Sequence, residues 1–350
     1  MVDWLAGKRV RGTSSERTPL GTGIGGTGVG GWVELGRSTS STPSVSSLAD
    51  KRYYMVLSYK NPTSATQNHG LRFNSDIDPN YSWRYSANDG TETTATSISY
   101  ALLHNDAVSA IDGFDVTYIA NRSANEKLMI NHSNYNDAIG ASNVTNRNET
   151  VSKWANISDS IDEIGYRATG GDWGAGGEIV VLGWDPADTH TNNFWEELHS
   201  DSQTGQTVDN INSGTFTNKK YLWVQCWFKG TTNTTVKMTF NNSSDSTYAW
   251  RYSNNGGADS TGTSQASVTL HNAKANATKF LNMFIVNDGS NEILGIAHMV
   301  EDGGSGAVVD PDRRETVFKR STATAITDIE FDNDDTGDFT DWEFKIWGAD

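Results

Sequence analysis

The sequence predicts an all-β protein: two tandem homologous antiparallel β-sandwich domains of jelly-roll-like form, preceded by a flexible N-terminal arm. Apolar residues alternate with period two, polar turns separate the short apolar runs, and the same landmarks occur twice. The copies are shifted by about 165–168 positions, as in "FNSDIDPNYSWRYSANDG" at Phe73–Gly90 and "FNNSSDSTYAWRYSNNGG" at Phe240–Gly257. A repeat of roughly 160 residues can enclose its own core and therefore marks a whole domain.

Residues 1–31 form the predicted arm. It carries Trp4 and the basic residues Lys8, Arg9 and Arg11, and ends in the glycine-rich "GTGIGGTGVGG". We expect this arm to dock on another subunit, with a frayed terminus as the alternative. The sequence shows no apolar core of a signal peptide and no run long enough to span a membrane, which favours synthesis in the cytosol.

The first domain is predicted at 32–188 and the second at 189–350, with Pro186 in the linker between them. Each domain holds matching strand-like runs, and no apolar stripe of helical period extends over three turns. The clearest matching runs are "YYMVLSY" and "YLWVQCW", "FDVTYIA" and "FLNMFIV", "NEKLMINH" and "NEILGIAH", and "RNETVSKW" and "RRETVFKR".

Composition narrows the classes of function. The formal net charge of −16 and pI of about 4.8 oppose binding to nucleic acid or to an anionic membrane. The single cysteine, Cys226, lies in an apolar run and is interpreted as a small buried hydrophobe. No nucleophile elbow, P-loop or HExxH motif is present, so we expect no enzyme activity.

Three tryptophans are candidate platforms for stacking sugar rings: Trp83, Trp173 and Trp250. In "YSWRYS" and "YAWRYS" the aromatic residues alternate with polar residues and share one face of a strand. That face is either the core, which is the favoured interpretation, or an exposed glycan platform.

The segment "DNDDTGDFTDWE" is a candidate calcium loop. Its oxygen-bearing side chains follow the spacing of calcium ligands, with strand-like rather than helical flanks. The candidate ligands are Asp332, Asp334, Thr336, Asp338 and Glu343. A solvated hairpin loop is the alternative, and no other cofactor is expected.

Histidines and acids also recur between the copies. His104 matches His271 and His132 matches His298, and we expect each to be a structural residue at a strand end, since equivalent residues in different domains should not form one site. Glu149 and Glu315 recur in "RNETV" and "RRETV", where they are expected to pair with the neighbouring arginines.

Three repeated features resemble tandem β-domains in structural proteins of tailed bacterial and archaeal viruses, such as tail-fibre, tail-tip and head-decoration proteins. They are the block that begins with "FN" at Phe73 and Phe240, the "RNETV" and "RRETV" blocks, and the closing strands "VLGW" and "IWG". The resemblance covers about residues 30–350 and implies a non-enzymatic, homo-oligomeric virion component. Its partners would be other copies of itself, other virion proteins and host-surface glycans. A double-jelly-roll capsid protein is a variant of this hypothesis. A carbohydrate-binding surface module is the second hypothesis, and a glycan-cleaving enzyme is the third.

Overall fold

A computed structural model describes residues 31–60, 68–105, 112–136, 138–169, 173–174, 176–185, 193–231, 235–272, 277–302, 311–333 and 338–350. Across these ranges the chain forms 24 β-strands in four antiparallel sheets, and no helix. The predicted all-β class is therefore confirmed. In the same ranges there is no helix of the length and apolarity needed to cross a membrane.

The first repeat contains twelve strands in two sheets. Eight of them pair in the order β1-β12-β3-β8-β9-β10-β5-β6, and four in the order β2-β11-β4-β7. The strands are β1 (Val33–Ser38), β2 (Ser44–Ser46), β3 (Tyr53–Lys60), β4 (Asn68–Phe73), β5 (Tyr81–Ala87), β6 (Thr93–Ile98), β7 (Ala101–Asn105), β8 (Gly113–Ala120), β9 (Lys127–Asn136), β10 (Thr145–Trp154), β11 (Glu163–Ala168) and β12 (Glu178–Trp184).

The second repeat has the same topology, strand for strand. Its large sheet has the order β13-β24-β15-β20-β21-β22-β17-β18, and its small sheet has the order β14-β23-β16-β19. The strands are β13 (Glu196–Val208), β14 (Asn210–Asn212), β15 (Tyr221–Gly230), β16 (Thr235–Phe240), β17 (Tyr248–Asn254), β18 (Ser260–Gln265), β19 (Val268–Asn272), β20 (Thr278–Val286), β21 (Ile293–Glu301), β22 (Asp312–Arg320), β23 (Ile329–Asn333) and β24 (Phe339–Ala349).

In each repeat the large and small sheets pack on each other around one hydrophobic core, a β-sandwich-like arrangement. Alternate residues of each strand point into this core, as the period of two requires. In the first repeat Tyr54 and Val56 of β3 meet Leu71 of β4. In the second, Leu222 and Cys226 of β15 occupy the matching layer. The burial predicted for Cys226 is confirmed, since its side chain is fully inaccessible.

Three residues on the opposite face of β3 pack against the second repeat. Met55, Leu57 and Tyr59 belong to a third buried cluster, together with Phe284 and Ile296 of the second repeat. The two large sheets therefore pack face to face, and the four sheets stack in the order small, large, large, small. Burying this apolar surface joins the two repeats into one body.

Asn134 of β9 links the two large sheets by hydrogen bonds. Its amide nitrogen donates hydrogen bonds to the carbonyl oxygens of Gly295 at 2.9 Å and Phe318 at 2.6 Å, both in the second repeat. Gly295 allows its own sheet to pack tightly there, because a Cβ at this position would lie 2.0 Å from the ring of Phe318.

Candidate functional site

A buried polar cluster lies where the two large sheets meet. His132 sits opposite Glu149 across strands β9 and β10, and His298 sits opposite Glu315 across β21 and β22. The two imidazole rings are in contact, with centroids 4.2 Å apart and planes at 62°. The expectation that the repeated histidines could not share a site is wrong, because face-to-face packing brings equivalent strands of the two repeats together.

Arg147 links the two halves of this cluster. Its guanidinium contacts Glu149 in its own repeat, and it reaches Glu315 at 2.9 Å and Asp259 at 2.9 Å in the other repeat. Arg313 lies 3.2 Å from Glu315. The predicted pairing of both glutamates with neighbouring arginines is confirmed, and the contacts from Arg147 to the second repeat are additional.

Arg147 holds the carboxyl groups of Glu149 and Glu315 in one buried cluster. Burial, followed by the hydrogen bond and the charge of Glu149, raises the pKa of Glu315 to about 8. Burial opposes ionisation of Glu149 as well, but the hydrogen bond from Glu315 and the charge of Arg147 outweigh it and lower its pKa. The pair therefore titrates as a unit in which the carboxyl group of Glu315 is harder to ionise than that of Glu149.

Both histidines in the cluster are neutral. Burial lowers the pKa of His132, and burial together with its neighbour His132 lowers the pKa of His298 to about 3. The cavity between these groups measures only about 10 Å³. Such a volume holds at most one water molecule, so no substrate fits beside the acids and histidines in this arrangement.

A second polar cluster lies inside the sandwich of the first repeat. His104 Nδ1 is 3.0 Å from Asp115 Oδ1, and the hydroxyl of Ser133 donates to the same carboxylate oxygen. The ring of His104 stacks on that of His69 at 4.7 Å, and both are fully buried. Complete burial raises the pKa of Asp115, and the charge of Lys60 opposes that rise.

The second repeat has no such cluster at these positions. Asp115 and Ser133 correspond to Leu281 and Met299, which are buried in an apolar core. This acid partner of His104 was missed from the sequence, because β7 and β8 become neighbours only in the folded sandwich. The signal that points to it is the replacement of apolar residues by polar ones at inward positions of one copy only.

The three candidate stacking tryptophans have different surroundings. Trp173 is fully buried and packs on Tyr166 at 4.6 Å, and Trp250 is 9% exposed in the core of the second repeat. Neither ring can stack on a sugar, so their assignment as glycan platforms is wrong. Trp83 is half-buried, with its ring 5.4 Å from that of Tyr85.

The candidate calcium ligands are divided between two sheets. Asp332 lies in β23 of the small sheet and Glu343 in β24 of the large sheet, with Asp338 just before β24. Asp334 and Thr336 lie outside the described residues, so the loop stays a prediction. Within the described ranges no group of three or more His, Cys, Asp or Glu side chains is placed to hold a metal ion.

The arm residues Trp4, Lys8, Arg9 and Arg11 lie outside the described ranges, so the arm stays a prediction.

Comparisons with known proteins give no family. No family model matches the chain and no curated protein matches it. Among solved structures, the chain is weakly similar to Neisserial surface protein A, with 8% identity, 81% of this chain and 99% of that chain covered, and a TM-score of 0.10. The attachment invasion locus protein Ail of Yersinia pestis gives 6% identity, coverages of 81% and 99%, and a TM-score of 0.11. A two-domain fibronectin type III segment of chicken tenascin gives 10%, coverages of 64% and 90%, and 0.11. Scores this low carry no argument about fold or function.

Proposed function

We propose that this chain is a non-enzymatic structural protein of a virus particle, in the capsid shell, a decoration or a tail fibre. The observation that carries the proposal is the engagement of the repeated His, Glu and Arg residues in the contact between repeats, with room for no more than one water. These repeated residues thus serve packing. That is the expected role of a duplicated scaffold.

The strand order supports a jelly-roll-like architecture for each repeat. With the hairpins β5–β6 and β9–β10 set aside, eight strands of the first repeat remain. One sheet orders them first, eighth, third and sixth, and the other orders them second, seventh, fourth and fifth. Two Greek keys produce this order in jelly rolls, which occur in viral capsid and lectin domains.

In this proposal the partners are other copies of the chain and other virion proteins, and the site of action is the virion. The segment 1–31 anchors the chain through Trp4 and its basic residues, while the two β-domains cover the surface of the particle or project from it. Weak contacts between subunits then add up through multivalency.

Negative-stain electron microscopy of the purified full chain tests this function. We expect regular particles, sheets or fibres, and their loss on deletion of residues 1–31 with both domains still folded. Substitution of Lys8, Arg9 and Arg11 by glutamine keeps the length of the arm, removes the basic residues assigned to anchoring and should cause the same loss. A chain that stays monomeric at every concentration, or that releases reducing sugars from glycans, contradicts the proposal.

A carbohydrate-binding module is the second candidate, favoured by one specific observation. Trp83 lies half-buried on a strand near the edge of the large sheet, where a ring can still meet a ligand. Glycan-array binding that is lost in Trp83→Ala and retained in Trp173→Phe would establish this candidate.

A further inference from the structure

Part of the outer face of the first repeat's large sheet is apolar and open to solvent. Leu128, Ile130 and Val151 are 56%, 51% and 50% exposed. Ile130 and Val151 are direct neighbours across β9 and β10, and Leu128 lies two residues from Ile130 on the same face. We call these three residues the domain 1 patch.

The second repeat carries the same residues at the same positions, where they are buried. Leu294, Ile296 and Val317 correspond to the domain 1 patch and are 0%, 3% and 1% exposed. They belong to the cluster that packs against Phe114 and Val116 of the first repeat. This set of side chains is therefore already used once within the chain as a docking surface for a large sheet.

The charged pair beside the patch recurs as well. Lys153 and Glu126 are 3.0 Å apart and solvent-exposed, while their counterparts Lys319 and Glu292 are 3.4 Å apart and buried between the repeats. Lys319 also donates to the carbonyl oxygen of Ala138 in the first repeat. Five residues that dock the second repeat thus have identical counterparts on the open face of the first.

The second repeat has an open apolar row of its own. Trp227, Phe280 and Val300 are 39%, 40% and 42% exposed and lie side by side on three adjacent strands. Trp227 and Phe280 correspond to Tyr59 and Phe114 of the first repeat, which are buried in the contact between repeats. We call these three residues the domain 2 patch.

We propose that the domain 1 patch of one chain docks on the domain 2 patch of a second copy. The two patches are the unused counterparts of the two surfaces that already pack on each other within the chain. Contiguous apolar surface of this kind marks an interaction site, and the contact within the chain supplies the chemistry of the partner. Since the patches differ, repetition of the contact builds closed rings, the smallest being a two-fold dimer, or open chains of copies. This contact between copies does not depend on the proposed function, because it requires only that two copies of the chain meet.

Two charged variants of the full chain test the proposal, with oligomeric state measured by light scattering coupled to size exclusion. Ile130→Asp blocks the domain 1 patch and Phe280→Asp blocks the domain 2 patch. We expect the wild-type chain to form concentration-dependent oligomers, and each variant to raise the dissociation constant at least about 30-fold, as loss of a central interface residue does. An equimolar mixture of the variants should form a dimer and nothing larger, because each retains the patch that the other has lost.

Ile157→Asp is the matched control, since Ile157 is 58% exposed and lies outside both patches. It should assemble like the wild type. If either aspartate variant fails to fold by circular dichroism, Ile130→Ser and Phe280→Ser replace them in the same mixing experiment. A monomeric wild type, variants that assemble as the wild type does, or a mixture that stays monomeric would each overturn the proposal.

Discussion

Removal of the Asn134 side chain tests the packing of the two repeats on each other. Asn134 is fully buried, and its amide donates to two carbonyl oxygens of the other repeat, at 2.9 Å and 2.6 Å. The hydroxyl of Thr145 donates to the amide oxygen of Asn134 and fixes its orientation. In Asn134→Ala both of these bonds to the second repeat are lost and a small cavity remains.

The expected loss follows from these contacts. A buried hydrogen bond contributes about 1 kcal/mol net, and a polar group left without its partner adds about 1 kcal/mol or more. The carbonyl oxygens of Gly295 and Phe318 lie within paired β-strands, which limits the cost of leaving them without the Asn134 amide. We therefore expect Asn134→Ala to lower the free energy of unfolding by roughly 2–4 kcal/mol.

Urea unfolding of the full chain, followed by tryptophan fluorescence, measures this change. Asn125→Ala is the control, because the Asn125 side chain is exposed and bonds only within its own loop. Its effect should stay within about 0.5 kcal/mol. If Asn134→Ala changes the free energy of unfolding as little as Asn125→Ala does, the contact between the repeats does not stabilise the fold as described.

Three further outcomes are expected. Burial and Glu149 raise the pKa of Glu315 from 4.5 to about 8, so its contribution to the free energy of unfolding is complete below pH 4.5 and is lost as the pH rises through 8. Between pH 6 and pH 9 the free energy of unfolding, measured with urea, should therefore fall by on the order of 2 kcal/mol less in Glu315→Gln than in the wild type. Gly295→Ala should destabilise the chain by about 1–3 kcal/mol in thermal unfolding, since the added methyl overlaps the Phe318 ring, and an unchanged melting temperature would contradict this. Burial raises the pKa of the Cys226 thiol, so Ellman's reagent should react with it only after unfolding, and fast reaction in the native state would show the core to be open.

The fold was predictable where local pattern determines it. Period-two alternation and the repeat gave the strands and their duplication, and "YYMVLSY" became β3 at Tyr53–Lys60. Alternation shows that Met55 and Leu57 share a face, but not what covers that face. In a sandwich with a single core they would point to solvent, whereas the second repeat buries them. That contact depends on the packing of two domains, which local sequence does not encode.

The candidate site was only partly predictable for the same reason. The repeated blocks identified His132, His298, Glu149 and Glu315, yet their meeting depends on the relative placement of the repeats. For Trp173, residue type suggested a stacking platform, and burial against Tyr166 excluded it.

The contact between Arg147 and Asp259 allows the most direct test that the two repeats pack as one body. These residues belong to different repeats, lie 2.9 Å apart and are largely buried. A double-mutant cycle with Arg147→Met and Asp259→Asn, measured by urea unfolding of the full chain, isolates their interaction. The packing described above predicts a coupling energy of about 1–3 kcal/mol. A coupling energy below about 0.5 kcal/mol would mean that the two domains do not meet through this face.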